Sequence, residues 1–340
     1  MKYITFTVPC YNSAAYMERC IDTLLGDGKA VEIIIVDDGS TDGTGALADS
    51  YAWNYPDIVK VIHQENGGHG AAVNAGLAAA TGRYFKVVDS DDWLDESALH
   101  TLLQQLRSWD AEGIEPDLIV CNYLYDHLYE NTVKCISYQN VFVPGKICGW
   151  EDLRSFGPSQ YLVMHSLWYR TKTLRKSGVC LPRHTFYVDN LFANHPLPYV
   201  RSMCYLNLDL YHYFLGREDQ SVNEKVLMSR IDQQIYVTKL VACSADLEKL
   251  NRIQPKLARY LVRNISIMMS ISCIHLMLIG TSEAKGKRDA LWYFIRSQNR
   301  RLYYILKYRS LSGLTCLPGK VGDILTLCGY RTARRIYQFN

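Results

Sequence analysis

Four short apolar runs near the start of the chain restrict its fold more than any other feature. They are ITFTVP (Ile4 to Pro9), EIIIVDD (Glu32 to Asp38), IVKVIHQ (Ile58 to Gln64) and RYFKVVDS (Arg83 to Ser90). Between them lie segments with helical character. In AAYMERCIDTLL the apolar residues Ala15, Met17, Cys20, Ile21, Leu24 and Leu25 fall at helical spacing. GALADSYAW and AAVNAGLAAA follow in turn, the latter stopped by Thr81-Gly82. Strands that alternate with helices about every 30 residues are βαβ units. Strands buried on both faces read as continuous apolar runs, as these do. The pattern predicts an open α/β sheet through about residue 110.

Beyond Pro116 the pattern changes. DLIVCNYLYD and TVKCISYQNVFV predict antiparallel strands around a turn at Glu130-Asn131. GWEDLRSF predicts a short helix, and MHSLWYRTKTLRKSG a strand or turn leading into a helix. CYLNLDLYHYFL is rich in β-formers. From about residue 222 the chain reads as helical, with breaks at Pro255, Gly280 and Leu317-Pro318-Gly319. The expected organisation is a catalytic domain over 1–222, with halves 1–110 and 111–222, and a basic helical region over 223–340. ISIMMSISCIHLMLIG (Ile265 to Gly280) is short for a membrane span and contains His275, so it predicts a buried helix.

The chemistry gathers just past the strand ends, at Tyr11-Asn12, Asp37-Asp38, Asn66-Gly67-Gly68 and Asp89 to Asp92. Ligands of open α/β sheets bind in the crevice beyond the carboxyl ends of the strands. VVDSDDWLD packs four aspartates into nine residues. Carboxylates this close raise one another's pKa, and a divalent cation relieves the repulsion. Mg²⁺ takes one or two protein carboxylates and completes its shell with phosphate and water. D-x-D at a strand end therefore predicts a metal-bound polyphosphate. Helix capping accounts for Asp95 and Glu96 but not for Asp89, beside the buried strand. An acceptor such as Asp38 suits the ring N–H of a uracil, and Tyr11 suits stacking on that base. In IIIVDDGSTDGT, Thr41 or Asp42 suits a helix cap. NGGHG is weak evidence for a phosphate loop, and His69 reads as an ordinary loop histidine.

Taken together, VPCYNSAAYMERCIDTLL, EIIIVDDGSTDGT and NGGHGAAVNAGLAAATGRYFKVVDSDDWLD resemble the inverting family 2 glycosyltransferases of the GT-A fold. The resemblance covers residues 3 to about 110 in motif order and spacing, and thins to scattered matches between 145 and 222. It implies a Rossmann-like nucleotide-binding sheet, a nucleotide-diphospho-sugar donor, with UDP the expected carrier, and Mn²⁺ or Mg²⁺. It also implies that the Pro9-Cys10-Tyr11 loop and Asp37-Asp38 hold the nucleotide, with Asn12, Gly68 and Asn74 as further donor-binding candidates. Asp89-Ser90-Asp91 matches the motif for ribose and metal-bound diphosphate. Asp91 and Asp89 are its candidate ligands, and Asp92 leaves the division among the three acids open. The family's catalytic base lies in an acidic pair, matched here by HTFYVDNLF. Asp189 takes the second place and Val188 replaces the usual Glu. Such a base takes the acceptor's proton as the new bond forms. YHYFLGREDQSVN resembles the family's closing segment, making Arg217 a candidate partner for the diphosphate and His212 a candidate metal ligand.

The implied reaction is sugar transfer, with inversion, to a glycan or lipid-linked acceptor in cell-surface polysaccharide or glycoconjugate synthesis. Two rivals stand beside it. A nucleotidyltransferase also needs acids and a metal, but CYNSAA offers no basic Gly-rich loop. A non-catalytic nucleotide- or glycan-binding protein on the same fold is kept open by Val188. Charge adds a partner. Residues 281–340 hold 12 Lys+Arg and 3 Asp+Glu, a balance of +9, in a chain whose net charge is +3. WYFIRSQNRRLYYILKYRSLSG interleaves aromatic, aliphatic and basic residues, as helices on anionic membrane surfaces do. No nucleic-acid motif accompanies the charge. The 11 cysteines show no paired or zinc-like spacing and the N-terminus reads straight into a strand. The expected location is the cytoplasm, or the cytoplasmic face of the membrane.

Overall fold

The computed structural model of the chain describes residues 2–26, 28–127, 132–158, 160–216 and 223–337. It divides into two compact units, Met1–Gly216 and Arg217–Asn340. The first is mixed α/β around one sheet.

That sheet contains ten described strands. In chain order they are β1 (Ile4–Cys10), β2 (Val31–Asp37), β3 (Val59–His63), β4 (Tyr84–Val87), β5 (Trp93–Leu94), β6 (Leu118–His127), β7 (Thr132–Ile136), β8 (Ile147–Cys148), β9 (Leu167–Arg170) and β10 (Met203–Leu215). The main path runs β3-β2-β1-β4-β9-β6-β10-β5, with β7 on β6 and β8 on β10. The four runs predicted from the sequence pair in parallel as β3-β2-β1-β4, and every residue of β1, β2 and β4 is buried. The predicted hairpin is β6 with β7, antiparallel from Tyr123↔Ile136 to His127↔Thr132, and its expected turn lies outside the described residues. GWEDLRSF makes only a 3-10 turn at Trp150–Asp152 before the chain extends at Leu153.

The helices of this unit are α1 (Met17–Leu24), α2 (Thr44–Asn54), α3 (His69–Ala79), α4 (Glu96–Glu112), α5 (Thr171–Ser177) and α6 (Val188–Asn194). Asp95 caps α4 as expected, its Oδ1 accepting the Ala98 amide at 2.8 Å. α3 lies very close to β1, because Gly76 faces Thr7. A Cβ on Gly76 would stand 2.2 Å from the Thr7 methyl. At the lower end of the sheet a buried carboxylate joins three strands. Glu32 accepts from the Thr5 hydroxyl (2.6 Å), the Lys60 ammonium (2.7 Å) and both the amide and hydroxyl of Thr81 (2.8 and 2.9 Å). With all partners supplied by the protein, this acid is structural.

The second unit is helical: α7 (Glu224–Ser229), α8 (Ile231–Ala242), α9 (Leu247–Ile253), α10 (Pro255–Ile279), α11 (Ser282–Gln298), α12 (Arg300–Tyr308) and α13 (Gly319–Tyr337). The breaks fall where proline and glycine require them, at Pro255, at the left-handed cap Gly280 (φ 71°) and at Gly319. Among the described residues α10 is long and apolar enough to cross a membrane by length and composition, with half of its most apolar window buried within the unit. In WYFIRSQNRRLYYILKYRSLSG, Trp292, Ile295, Leu302 and Leu306 pack inward and are buried, while Tyr293, Tyr304, Tyr308 and Leu311 are exposed.

Candidate active site

β1, β2 and β4 all end on the same edge, so the loops that follow them meet there, as parallel strands dictate. Hydrogen bonds tie these loops together. The Asn12 amide donates to Ser40 Oγ (3.0 Å), and Asn12 Oδ1 accepts the Thr41 amide (2.9 Å). Asn12 itself is left-handed (φ 50°), a conformation Asn tolerates better than most residues. The Ser13 amide donates to Thr44 Oγ1 (2.7 Å), and the Ser13 and Ser90 hydroxyls share a 2.9 Å bond. Pro9 lies in buried β1, and Tyr11 beside this network is half exposed. Asp42 Oδ1 accepts the Thr44 amide at the start of α2 (2.9 Å).

The two acids after β2 have different partners. Asp37 accepts from the Ser40 amide (3.0 Å) and faces His63 Nδ1 (2.9 Å). Burial would raise its pKa, but the Ser40 and His63 bonds outweigh burial and lower it. Asp38 is buried and organises the glycine loop. Its Oδ1 accepts from Gln64 Nε2 (2.6 Å) and the Gly67 amide (2.9 Å), and its Oδ2 from the Gly68 amide (2.7 Å). Gly68 is left-handed (φ 81°), and a Cβ there would stand 2.9 Å from the His184 amide nitrogen. The His184 amide in turn donates to the Gly67 carbonyl (2.6 Å). The 180s segment is thereby docked on the glycine loop. Asn74 serves the same joint, exchanging bonds with the Leu181 carbonyl (2.8 Å) and amide (3.0 Å).

At the centre stands Asp89. Its Oδ1 lies 2.8 Å from His69 Nε2, and its Oδ2 lies 3.6 Å from His165 Nε2. Burial would raise its pKa, but the two imidazoles hold it below the usual carboxylate range. Burial likewise opposes a charge on His69, and Asp89 outweighs it, so His69 is raised. Asp92 is enclosed differently. Tyr211 Oη donates to its Oδ2 (2.5 Å) and the Phe214 amide to its Oδ1 (2.8 Å). Burial, with the charges of Asp91 and Asp89, pushes the Asp92 pKa well up. Asp91 is half-buried beside them. Thus the acids of one turn occupy three environments.

Two further segments complete the site. His165 sits in the turn before β9, its ring stacked on Tyr213 with centroids 4.5 Å apart. That turn is pinned by buried Lys86, whose ammonium donates to the carbonyls of Met164 (3.0 Å), His165 and Leu167 (3.4 Å). Burial pushes Lys86 down to about 7. Asp189 lies in the first turn of α6, preceded by left-handed Tyr187 (φ 66°). Burial raises the Asp189 pKa, opposed by the charges of His165 and His69. Non-glycine residues at positive φ persist only where the surroundings hold them. Asn12, His184 and Tyr187, the three described here, all lie in segments that form this site.

The metal-binding potential can be judged from the donors present. Asp89, Asp92 and His165 each offer a ligand atom within 4.8 Å of the others. Two carboxylates and an imidazole suit Mn²⁺ or a similar divalent ion. Among the sequence candidates Asp89 is in this cluster. His212 is not: it stacks on Trp93 (5.1 Å) and faces Asp126 Oδ2 (3.3 Å). Arg217 lies outside the described residues. His165 and Tyr211 carry no local signal in the sequence, and His69, an ordinary loop histidine by sequence, stands out only by its place among the glycines of NGGHG.

Residues 5–138 match the family model described as Glycosyl transferase family 2. EpsH of Bacillus subtilis is 28% identical over 288 residues, covering 78% of this chain and 76% of EpsH. The glycosyltransferase GlyG of Streptococcus pneumoniae is 40% identical over 124 residues, which is 36% of this chain and 39% of GlyG. Among solved structures, residues 1–349 of S. aureus TarS in complex with UDP-GlcNAc superpose with a TM-score of 0.65. That match has 21% identity and covers 98% of this chain and 92% of that one, a likeness of fold. Residues 5–138 are thus similar to the glycosyltransferase family 2 domain, and they lie in a GT-A-like α/β unit followed by a helical region.

Proposed function

We propose that the chain transfers a sugar from a nucleotide-diphospho-sugar, with UDP as the carrier, to a glycan or lipid-linked acceptor, with inversion. One observation carries the reading. His69 and His165 both face Asp89, and Asp189, far away in sequence, lies near enough for their charges to act on its carboxyl. On this reading the Asp89-to-Asp92 turn binds the diphosphate and Asp189 is the base. The loops of Pro9, Tyr11 and Asn12 and of Asp37 and Asp38 then receive the nucleotide, with Gly68, Asn74 and Ser90 shaping the cradle. The relative that superposes on this fold was crystallised with UDP-GlcNAc, which supports a donor of that class.

Asp89 and Asp92, with His165 or Asp91, would hold a divalent ion. Bound there, such an ion supplies neutralisation of the leaving diphosphate. The protein's own groups do the rest. Asp89 is kept ionised by His69. Asp189, raised by burial, accepts the proton of the attacking hydroxyl, where a base with raised pKa works best near neutral pH. Arg217 is a candidate partner for the diphosphate through the family resemblance, while His212, which faces Asp126, stands outside the ion's donor set. The acidic pair of the family is here Val188-Asp189, so Asp189 acts alone. The basic C-terminal region faces an anionic membrane surface, which places the enzyme at the cytoplasmic leaflet for glycoconjugate synthesis.

The test is a panel of UDP- and GDP-sugars incubated with Mn²⁺ or Mg²⁺, with the free nucleoside diphosphate and any sugar-bearing product followed by mass spectrometry. Metal-dependent release of UDP from one donor is expected. Binding of donor without turnover under every metal and acceptor condition would favour a non-catalytic binding protein.

A further inference from the structure

The second unit turns an aliphatic face outward where a surface helix ordinarily turns a polar one. Val321, Ile324 and Leu325 of α13 are 70%, 59% and 60% exposed, and Leu311, Leu314 and Leu317 just before it are 75%, 50% and 38% exposed. At 100° per residue Val321, Ile324, Leu325 and Cys328 share one stripe about 100° wide. Exposed Lys320 and Arg331 border its Ile324 edge.

The opposite face of α13 is anchored within the unit. Gly322 lies against Leu317, where a Cβ would stand 2.6 Å from the Leu317 Cβ. Buried Thr326 donates to the carbonyls of Leu314 (2.8 Å) and Gly322 (2.9 Å). Asp323 pairs with Arg288 at 2.9 Å. The turn that carries Leu311 and Leu314 is held by the hydroxyls of Ser266, Ser310 and Ser312, at 2.8 to 3.2 Å from one another. The aliphatic face is therefore presented by fixed backbone.

Charge decides what covers it. From residue 291 to the end the sequence holds nine basic residues and a single acid, Asp323, which Arg288 already pairs. A second copy of the chain would bring two basic rims together, and like charges across an interface disfavour association. An anionic bilayer satisfies both features, since aliphatic groups enter the headgroup–acyl boundary while Lys and Arg meet lipid phosphates. We propose that the face formed by Leu311, Leu314, Leu317, Val321, Ile324 and Leu325 docks into an anionic bilayer, with Lys320 and Arg331 on its rim. This rests on the reading of the basic region as membrane-facing, and it names insertion of this face as the contact.

Flotation of the full chain with phosphatidylcholine vesicles, with and without phosphatidylglycerol, tests it. The parent should float with the anionic vesicles and resist added salt in part, because buried aliphatic groups are not screened. Ile324→Glu with Leu325→Glu should lower the bound fraction at least about tenfold. Its circular dichroism melting curve should be unchanged, since both side chains are exposed. Arg300→Glu with Arg301→Glu, on exposed positions of α12, reports on basic charge away from the face and should weaken binding less. Undiminished flotation of the Ile324/Leu325 variant overturns the face. If the Arg300/Arg301 variant alone then loses binding, the basic-region reading survives without it. No flotation of the parent overturns both. A concentration-dependent dimer dissolved by Leu325→Glu overturns the bilayer in favour of a second copy.

Discussion

Tyr211→Phe removes one oxygen from the interior and tests how the acid turn is held. The hydroxyl donates to Asp92 Oδ2 at 2.5 Å and accepts the Asp89 amide at 3.2 Å. Both Tyr211 and Asp92 are buried, so water does not replace the lost partner. A hydrogen bond to a buried acid is worth about 1.5–3 kcal/mol, and a stranded amide adds about 1 kcal/mol. The expected loss is about 2–4 kcal/mol, which for a unit of this size lowers the midpoint of melting by roughly 5–15 °C. Urea unfolding followed by tryptophan fluorescence measures it, and calorimetry with UDP and Mn²⁺ reads whether the turn still binds its ligand, where weakening is expected. Asp92→Asn is the companion variant. An amide offers one accepting oxygen where Asp92 offers two, so either the Tyr211 hydroxyl or the Phe214 amide loses its partner, and a loss of about 1–3 kcal/mol is expected. A loss below about 0.5 kcal/mol in Tyr211→Phe, with unchanged UDP binding, would refute the claim that this hydroxyl holds the turn.

Asp189→Asn should lower the transfer rate by about 10²–10⁴ while UDP and Mn²⁺ binding persist, as calorimetry beside a transfer assay would show. Joint loss of binding and rate would make Asp189 a structural residue of the first turn of α6. His63→Gln should cost stability in acid. The His63 pKa is raised by its bonds to Asp49 and Asp37, so its contribution is complete below about pH 6.5 and fades as pH rises through the raised folded-state value. Denaturation across pH 5 to 9 should show the mutant's deficit shrinking with pH, and a deficit growing with pH would contradict the pairing. Gly76→Ala should destabilise by about 1–3 kcal/mol, because the new Cβ meets Thr7 at 2.2 Å, with chemical denaturation as the readout.

Much of this protein is determined by sequence alone, because its information is local and periodic. Continuous apolar runs separated by helical spacing specify β1 to β4 as strands of an α/β sheet, while their order β3-β2-β1-β4 belongs to the assembled sheet. Proline and glycine mark the breaks in the helical unit at Pro255, Gly280 and Gly319. Asp95 is legible as a cap because its partner, Ala98, is three residues away. The acid turn is legible as a site because four carboxylates in nine residues demand an explanation wherever they are placed.

What each acid does was decided by tertiary structure. Glu32, Asp38, Asp89 and Asp92 are alike in composition and unlike in surroundings. Glu32 and Asp38 are satisfied by protein donors, Asp89 lies between imidazoles from positions 69 and 165, and Asp92 is capped by Tyr211. The partners of Asp89 and Asp92 come from 20 to 122 residues away, so no local pattern announces them. A pKa is set by burial and by neighbouring charge, and both appear only when the strands assemble. The same holds for the C-terminal unit. Sequence shows that aliphatic and basic residues alternate there, but only packing decides that Trp292 and Leu306 face inward while Ile324 and Leu325 face out.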